Sequence, residues 1–326
     1  MIVKKEDYKL LPNCLSHIYQ HMDEIIVVVD KIGPEIEETA RNFGFRLFER
    51  KFSGDFSEYR NFSIRQATKD WILILDADEL LSPEDLQKLR QIAGSGEHIA
   101  CMLNQINYTN DTNQLRFVPL KNQITELFGF SGMFVVPIIR FFKNSIGLHF
   151  TRRVHEMVDE TIAKKGIWEK VNKTDIPLHH LKLLKGPEEF KKTELRYLGL
   201  SELETADNPQ NFKAFFDIGT TYLFTERKYP EAIKNLKKSL DISPDFLPAK
   251  LNLAYAYCQT KEYENALDLY KKTPENYRIL SNILTCLFYL KKYKEALDCC
   301  EKLIALEPSM RGELKKKIGI IKSLMG

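Results

Sequence analysis

Three carboxylates, Asp76, Asp78 and Glu79, fall within four residues, directly after the apolar run at 71–75. Crowded anions repel one another unless a cation lies between them. An apolar run without alternation reads as a strand covered on both faces, of the kind found inside a parallel sheet. On such a strand Asp76 and Asp78 point the same way, with Cα atoms roughly 6.5 Å apart, and Glu79 points the other way. That is a grip for one hard cation, Mg²⁺ or Mn²⁺, which completes its shell with water and a bound diphosphate. The same run also has a structural reading. Ser82, Pro83 and Asp85 spell a helix start, and the acidic residues then serve as its charged approach.

The first hundred residues must supply the frame for this grip. Apolar "MIV", "EIIVVVD", "RLFERK" and "WILILDAD" alternate with the helical patterns "EDYKLLPNCLSHIYQHM", "PEIEETARNFG" and "SEYRNFSIRQATK". Strand and helix in turn argue a doubly wound parallel sheet with right-handed crossovers. Sites on such sheets lie beyond the carboxyl ends of the strands, where both Asp30 and the acidic run fall. Pro12 predicts a kink or a late start in the first helix. From about residue 97 to 180 the pattern turns β-rich and irregular, as expected of a half that completes the sheet and shapes a second pocket.

Composition sets outer bounds. At 326 residues and 44% hydrophobic content the chain can build two cores, and 48 basic against 45 acidic residues leave no global field to attract nucleic acid. Six cysteines show neither a CxxC pair nor finger spacing, and read as buried thiols in a reducing cytoplasm. No apolar run approaches the length of a membrane span, and "MIVKKEDYKL" lacks the apolar stretch of a signal peptide. The expectation is a cytoplasmic protein, free or peripheral at the inner membrane face.

Beyond about residue 187 the pattern is helical and repeats itself. Tyr229 and Tyr263 are 34 residues apart, as are Ala232 and Ala266, whereas Tyr263 to Tyr293 is 30. The middle unit has lost about one helical turn, in its second helix or the turn after it. The 34-residue period, with small residues where helices touch, resembles the tetratricopeptide repeat. Three units run over about 211–310, preceded by a helix at 187–204 and closed by the basic "RGELKKKIGIIKSLM". Such stacks leave a groove for a peptide or partner protein, or simply brace the domain before them or dimerise it.

Taken together, "MIVKKED", "DEIIVVVD", "DFSEYRNFSIRQATKDWILILDADE", "RVHE" and "HH" before helical repeats resemble glycosyltransferase family 2, and within it the bacterial branch fused to tetratricopeptide repeats. The resemblance implies a Rossmann-like α/β domain with the A-type nucleotide-sugar fold over 1–185, followed by an all-α solenoid over 186–326. It implies a metal-dependent, inverting transferase using a nucleotide-sugar, foremost a UDP-sugar. The acceptor would be a glycan, a lipid-linked intermediate or a peptide, selected by the repeats. Glu6, Asp30, Arg60, Asp76 and Asp78 would bind the donor, with Asn61 either beside them or a structural cap. Asp78 would hold Mn²⁺ or Mg²⁺ with His180, or its neighbour His179, as a late ligand. Glu156, and after it Asp159, would remove the acceptor proton, while His155 would meet acceptor or diphosphate. Two departures stand out: "DKIGPEIEE" lacks the serine turn and second aspartate usual after Asp30, and the first strand is short. They leave room for an alternative, a non-catalytic repeat protein whose nucleotide-sugar domain has decayed.

Overall fold

The structure, a computed structural model, describes residues 1–110, 117–120, 129–181 and 186–325. The chain divides into two compact units, Met1–Lys192 and Thr193–Gly326.

In the first unit β1 (Ile2–Val3), β2 (Ile26–Val29) and β3 (Arg46–Glu49) form a parallel sheet in the order β1-β2-β3. Helices α1 (Leu11–Ile18) and α2 (Pro34–Phe43) connect them. Pro12 sits in the first turn of α1, where the missing N–H costs nothing, so the helix starts late and is not kinked. Helix α3 (Phe56–Arg65), capped by the Asp55 carboxylate on Glu58 N–H, leads to β4 (Trp71–Leu73).

Here the arrangement departs from a doubly wound sheet. β4 lies antiparallel to β8 (Gly132–Lys143) at the edge of a second sheet, in the order β4-β8-β6-β9-β5, where β6 is Ala100–Thr109, β9 is Val171–His180 and β5 is Glu79–Leu80. A short β7 (Val118–Pro119) adds to β8. Among the described residues only β6 and β9 run parallel in this sheet. An apolar run carries no information on the direction of its neighbour, so the parallel assignment for β4 fails; Ile72, Ile74 and Leu75 are buried as expected, while Trp71 and Leu73 are half-buried. The strand also ends early: β4 stops at Leu73, and residues 76–79 form a turn.

The second unit is helical throughout. Its paired helices are Phe212–Thr221 with Tyr229–Ile242, Leu247–Gln259 with Tyr263–Lys271, and Tyr277–Tyr289 with Tyr293–Leu306, and Arg311–Ser323 follows. The second helices have 14, 9 and 14 residues, so the missing turn falls in the middle one. Ala232, Ala249, Ala254, Ala256, Ala266 and Ala296 are fully buried where helices meet. All six cysteines are free thiols, five of them buried and Cys258 half-buried.

Candidate active site

The three carboxylates that follow β4 have three different surroundings. Glu79 N–H donates to the Asp76 carbonyl at 3.0 Å and Asp76 N–H donates to the Glu79 carboxylate at 3.0 Å, closing a turn with Ala77 and Asp78 at its tip. Strand alternation therefore does not apply, and Glu79 is no exposed approach to a helix. It is 0% exposed and also accepts from Gln105 Nε2 at 2.6 Å and Arg140 Nη2 at 3.3 Å. The helix-start reading holds at the same time: Ser82 Oγ accepts from Asp85 N–H at the head of α4 (Pro83–Ser95).

Asp76 lies between two guanidinium groups. Arg60 Nη2 reaches its two oxygens at 2.8 and 2.9 Å, and Arg140 Nη2 reaches one at 3.3 Å. Burial pushes the Asp76 carboxyl up, but Arg60 and Arg140 outweigh it and hold the group at about 2. The expected two-aspartate grip is therefore not what this turn presents, because the Asp76 charge is already compensated.

Asp78 faces a different partner. Its backbone C=O accepts from Leu181 N–H at 2.8 Å, extending the β5–β9 pairing, in which Glu79 stands opposite His180. This register brings His180 Nε2 to 3.6 Å from Asp78 Oδ2. His180 Nδ1 lies 2.8 Å from Asn107 Oδ1, and Asn107 Nδ2 donates to Gln105 O and Oε1 at 3.3 Å each. The amide oxygen thus faces the ring and takes its hydrogen bond from Nδ1, which leaves Nε2 as the ring nitrogen turned toward the Asp78 carboxylate. A carboxylate oxygen and a ring nitrogen at that separation are placed to share a cation, and the Asn107 bond is the outer support a metal-ligating histidine commonly has. Among the described residues there is no group of three or more histidines, cysteines and carboxylates able to enclose an ion. A metal here would rest on Asp78 and His180, with its remaining positions open to water and ligand oxygens. His179, one residue back on β9, points the other way and bonds the Tyr108 hydroxyl at 2.8 Å. Burial lowers its basicity.

The loop at 151–157 brings Glu156 to the same place. Thr151 and Met157 bridge each other through N–H···O bonds of 3.0 and 3.3 Å, and Phe56 N–H donates to Arg153 O at 2.9 Å. Within this closed loop Arg152 and His155 have φ of 80° and 50°, the left-handed region that side chains seldom adopt. Arg60 Nε donates to Glu156 Oε1, so the one arginine joins Glu156 to Asp76. Asn61 takes the structural role: its amide donates to Phe150 O at 2.9 Å and accepts from Phe150 N–H at 2.7 Å, fixing the start of this loop. His155 is exposed on the loop, and Asp159 opens the helix Asp159–Lys165, its charge at the dipole's positive end.

Asp30 and Glu6 form a second group. Asp30 follows β2 and accepts from Phe52 N–H at 2.6 Å, which ties the loop after β3 to the end of β2. Glu6 is exposed in the short turn Lys5–Asp7. Both raise the Tyr8 phenol pKa, after burial and Glu35, and Asp30 acts likewise on Tyr59. Sequence reasoning passed over Gln105, Asn107 and Arg140. Their signal was present: polar residues at alternate positions of one strand, and a lone charge within the apolar "VVPIIRFF".

Residues 1–154 match the family model for glycosyl transferase family 2, and residues 223–278 and 277–310 match tetratricopeptide repeat models. Over 161 residues the chain is 29% identical to a TPR repeat-containing protein of Synechococcus elongatus, covering 49% of this chain and 35% of that one. Over 100 residues it is 30% identical to the SPbeta prophage-derived glycosyltransferase SunS of Bacillus subtilis, covering 28% and 22% respectively. An uncharacterized glycosyltransferase of Rickettsia prowazekii is 25% identical over 131 residues, covering 39% and 44%. The chain spans less than half the length of each of these relatives. Among solved structures, one of MamA is 18% identical with a TM-score of 0.37, covering 42% of this chain and 82% of that one. The chain carries a glycosyl transferase family 2 domain followed by tetratricopeptide repeats.

Proposed function

We propose that the N-terminal domain transfers a sugar from a nucleoside-diphosphate donor, foremost a UDP-sugar, to a glycan, lipid-linked or peptide acceptor with inversion at the anomeric carbon. The observation that carries this reading is the pair Asp78 Oδ2 and His180 Nε2, 3.6 Å apart, with Nδ1 of the histidine already engaged by Asn107. A bound Mn²⁺ or Mg²⁺ would supply Lewis-acid neutralisation of the departing diphosphate. Asp30 and Glu6 recognise the nucleoside, and Arg60 and Asp76 form the wall between nucleoside and sugar. Glu156 takes the proton of the acceptor hydroxyl, and the bond from Arg60 orients it for that task. His155 meets the acceptor from the same loop. The repeats select the acceptor and do not build the donor site.

Calorimetric titration with UDP tests this directly. Binding that appears with Mn²⁺ and disappears with chelator is the expected result, and UDP binding indifferent to the metal, or none at all, would overturn it. A panel of UDP-, GDP- and CDP-sugars scored for hydrolysis then identifies the donor.

A further inference from the structure

Cys258 and Cys286 lie on the first helices of the second and third repeats, Leu247–Gln259 and Tyr277–Tyr289, with their sulfurs 3.6 Å apart. The repeat period explains the meeting. Equivalent positions of these two units are 30 residues apart, so Cys286 stands where the second repeat has the fully buried Ala256, and Cys258 stands where the third has Phe288. At a place that takes a small side chain, the sulfur of Cys286 reaches across to Cys258.

The two thiols differ in access and in acidity. Cys286 is fully buried, whereas Cys258 is half-buried and is the one cysteine of the six that is not closed off. Cys14 and Cys299 are engaged by backbone carbonyls, Glu79 O at 3.3 Å and Leu280 O at 3.2 Å. The Cys286 thiol lowers the pKa of Cys258, and the Tyr270 hydroxyl adds to this, so that together they outweigh burial. Cys286 itself is held in its protonated form by Cys258 and by burial. Because the thiolate is the attacking species, Cys258 is the point of entry and Cys286 the second thiol within its reach.

A low-molecular-weight disulfide is the oxidant that fits this pair. The Cys258 sulfur, its proton given to water, attacks one sulfur of the small disulfide, so that a mixed disulfide forms and the first small thiolate leaves. Cys286 then displaces the second small thiolate, which takes up the Cys286 proton. Two protein thiols are oxidised, and one small disulfide is reduced to two thiols. To bond, the sulfurs close from 3.6 Å to about 2.0 Å, which draws the two helices together. The helix between them, Tyr263–Lys271, has 9 residues where its counterparts have 14, so the bond falls at the shortest unit of the stack.

We propose that Cys258 and Cys286 are a dithiol site that reacts with small disulfides and closes to a disulfide bracing the third repeat against the second. The test incubates the folded full chain with oxidised glutathione, then counts free thiols after denaturation and maps the peptides. The expected product has four free thiols in place of six, a mass lower by two hydrogens and a Cys258–Cys286 link, all reversed by dithiothreitol. Its helical circular dichroism should melt at least about 5 °C above that of the reduced chain. Cys286→Ala, which gives the third repeat the residue the second already has, should stop at a glutathione adduct on Cys258. A parent chain that keeps six thiols, or keeps the adduct without the link, would overturn the proposal, as would a link that forms only in urea. A linked chain that melts no higher than the reduced one would overturn the bracing.

Discussion

Arg60 binds both oxygens of Asp76 through one guanidinium nitrogen, at 2.8 and 2.9 Å, and turns its Nε to Glu156, 96 residues further along the chain. The arginine is 4% exposed. Burial alone would make it shed its proton more readily, but Asp76 and Glu156 reverse that and keep it charged. Replacing it with Met keeps much of the volume, takes the partner from the largely buried Glu156 and leaves Asp76 with Arg140 alone. Breaking a buried pair in this way costs about 3–5 kcal/mol. Urea unfolding followed by tryptophan fluorescence reports the first unit alone, because Trp71 and Trp168 both lie there. Arg60→Met should lower the unfolding midpoint strongly, and an unchanged midpoint would show that the loop at 151–157 stands without the arginine.

Acid should release the same contact. The Asp76 carboxyl is held at about 2, below its usual value of 3.8, so the folded state binds this proton more weakly than the unfolded chain does. Its contribution is present in full above the unfolded value and is lost as pH falls from about 4 through about 2, amounting to something on the order of 2 kcal/mol. The acid limb of the stability curve should flatten in Asp76→Asn over that window. A variant whose stability falls as steeply as the parent's between pH 4 and 2 would assign the acid sensitivity elsewhere.

Much of this arrangement was legible before any coordinates, for identifiable reasons. The strands and helices up to Leu73 follow from apolar runs and helical patterns, and the helix after the acidic run from Ser82 and Pro83 at its start, all of which are local signals. The repeats follow from a 34-residue period, down to the turn missing from the middle unit. What was not legible is whatever depends on long-range register. The β5–β9 pairing that sets His180 opposite Glu79, and the pairing of β6 with β9 that sets Asn107 beside His180, join residues 101 and 73 positions apart. No local pattern encodes them. The acidic turn was misread for the same reason: whether Glu79 faces solvent depends on Gln105 and Arg140, which reach it from distant strands.

That correction separates two neighbouring carboxylates. Glu79→Gln brings an amide NH₂ into a fully buried site where Asp76 N–H, Gln105 Nε2 and Arg140 Nη2 already donate. Donor against donor should cost about 2–4 kcal/mol of stability. Asp78→Asn, at the tip of the turn, should leave the unfolding midpoint nearly unchanged and lower Mn²⁺-dependent UDP affinity by at least about a hundredfold, if its charge holds the ion. Measuring both variants by urea unfolding and by calorimetry yields a crossed pattern. Loss of UDP affinity in a fully stable Glu79→Gln, with none in Asp78→Asn, would reverse the two roles.

The last prediction concerns the repeats, where one glycine is required by packing and another is not. Gly219 is buried in the helix Phe212–Thr221. A Cβ added there would stand 2.7 Å from Leu236 Cγ and 3.2 Å from the Leu236 backbone nitrogen on the next helix. Leu236 is 0% exposed and has no room to retreat. Alanine favours the helical backbone by about 1 kcal/mol, yet forcing a methyl into a closed contact costs about 1–3 kcal/mol, so Gly219→Ala should be neutral at best and destabilising in most of that range. Gly199, exposed within the helix Pro187–Asp207, has nothing within 4 Å of an added Cβ. There the propensity gain stands alone, and Gly199→Ala should raise stability by up to about 1 kcal/mol. The two variants, followed by thermal melting of the helical circular dichroism signal, should therefore move the second unit's transition in opposite directions. A Gly219→Ala variant that melts as high as Gly199→Ala would mean that the two helices of the first repeat separate enough to admit the methyl group.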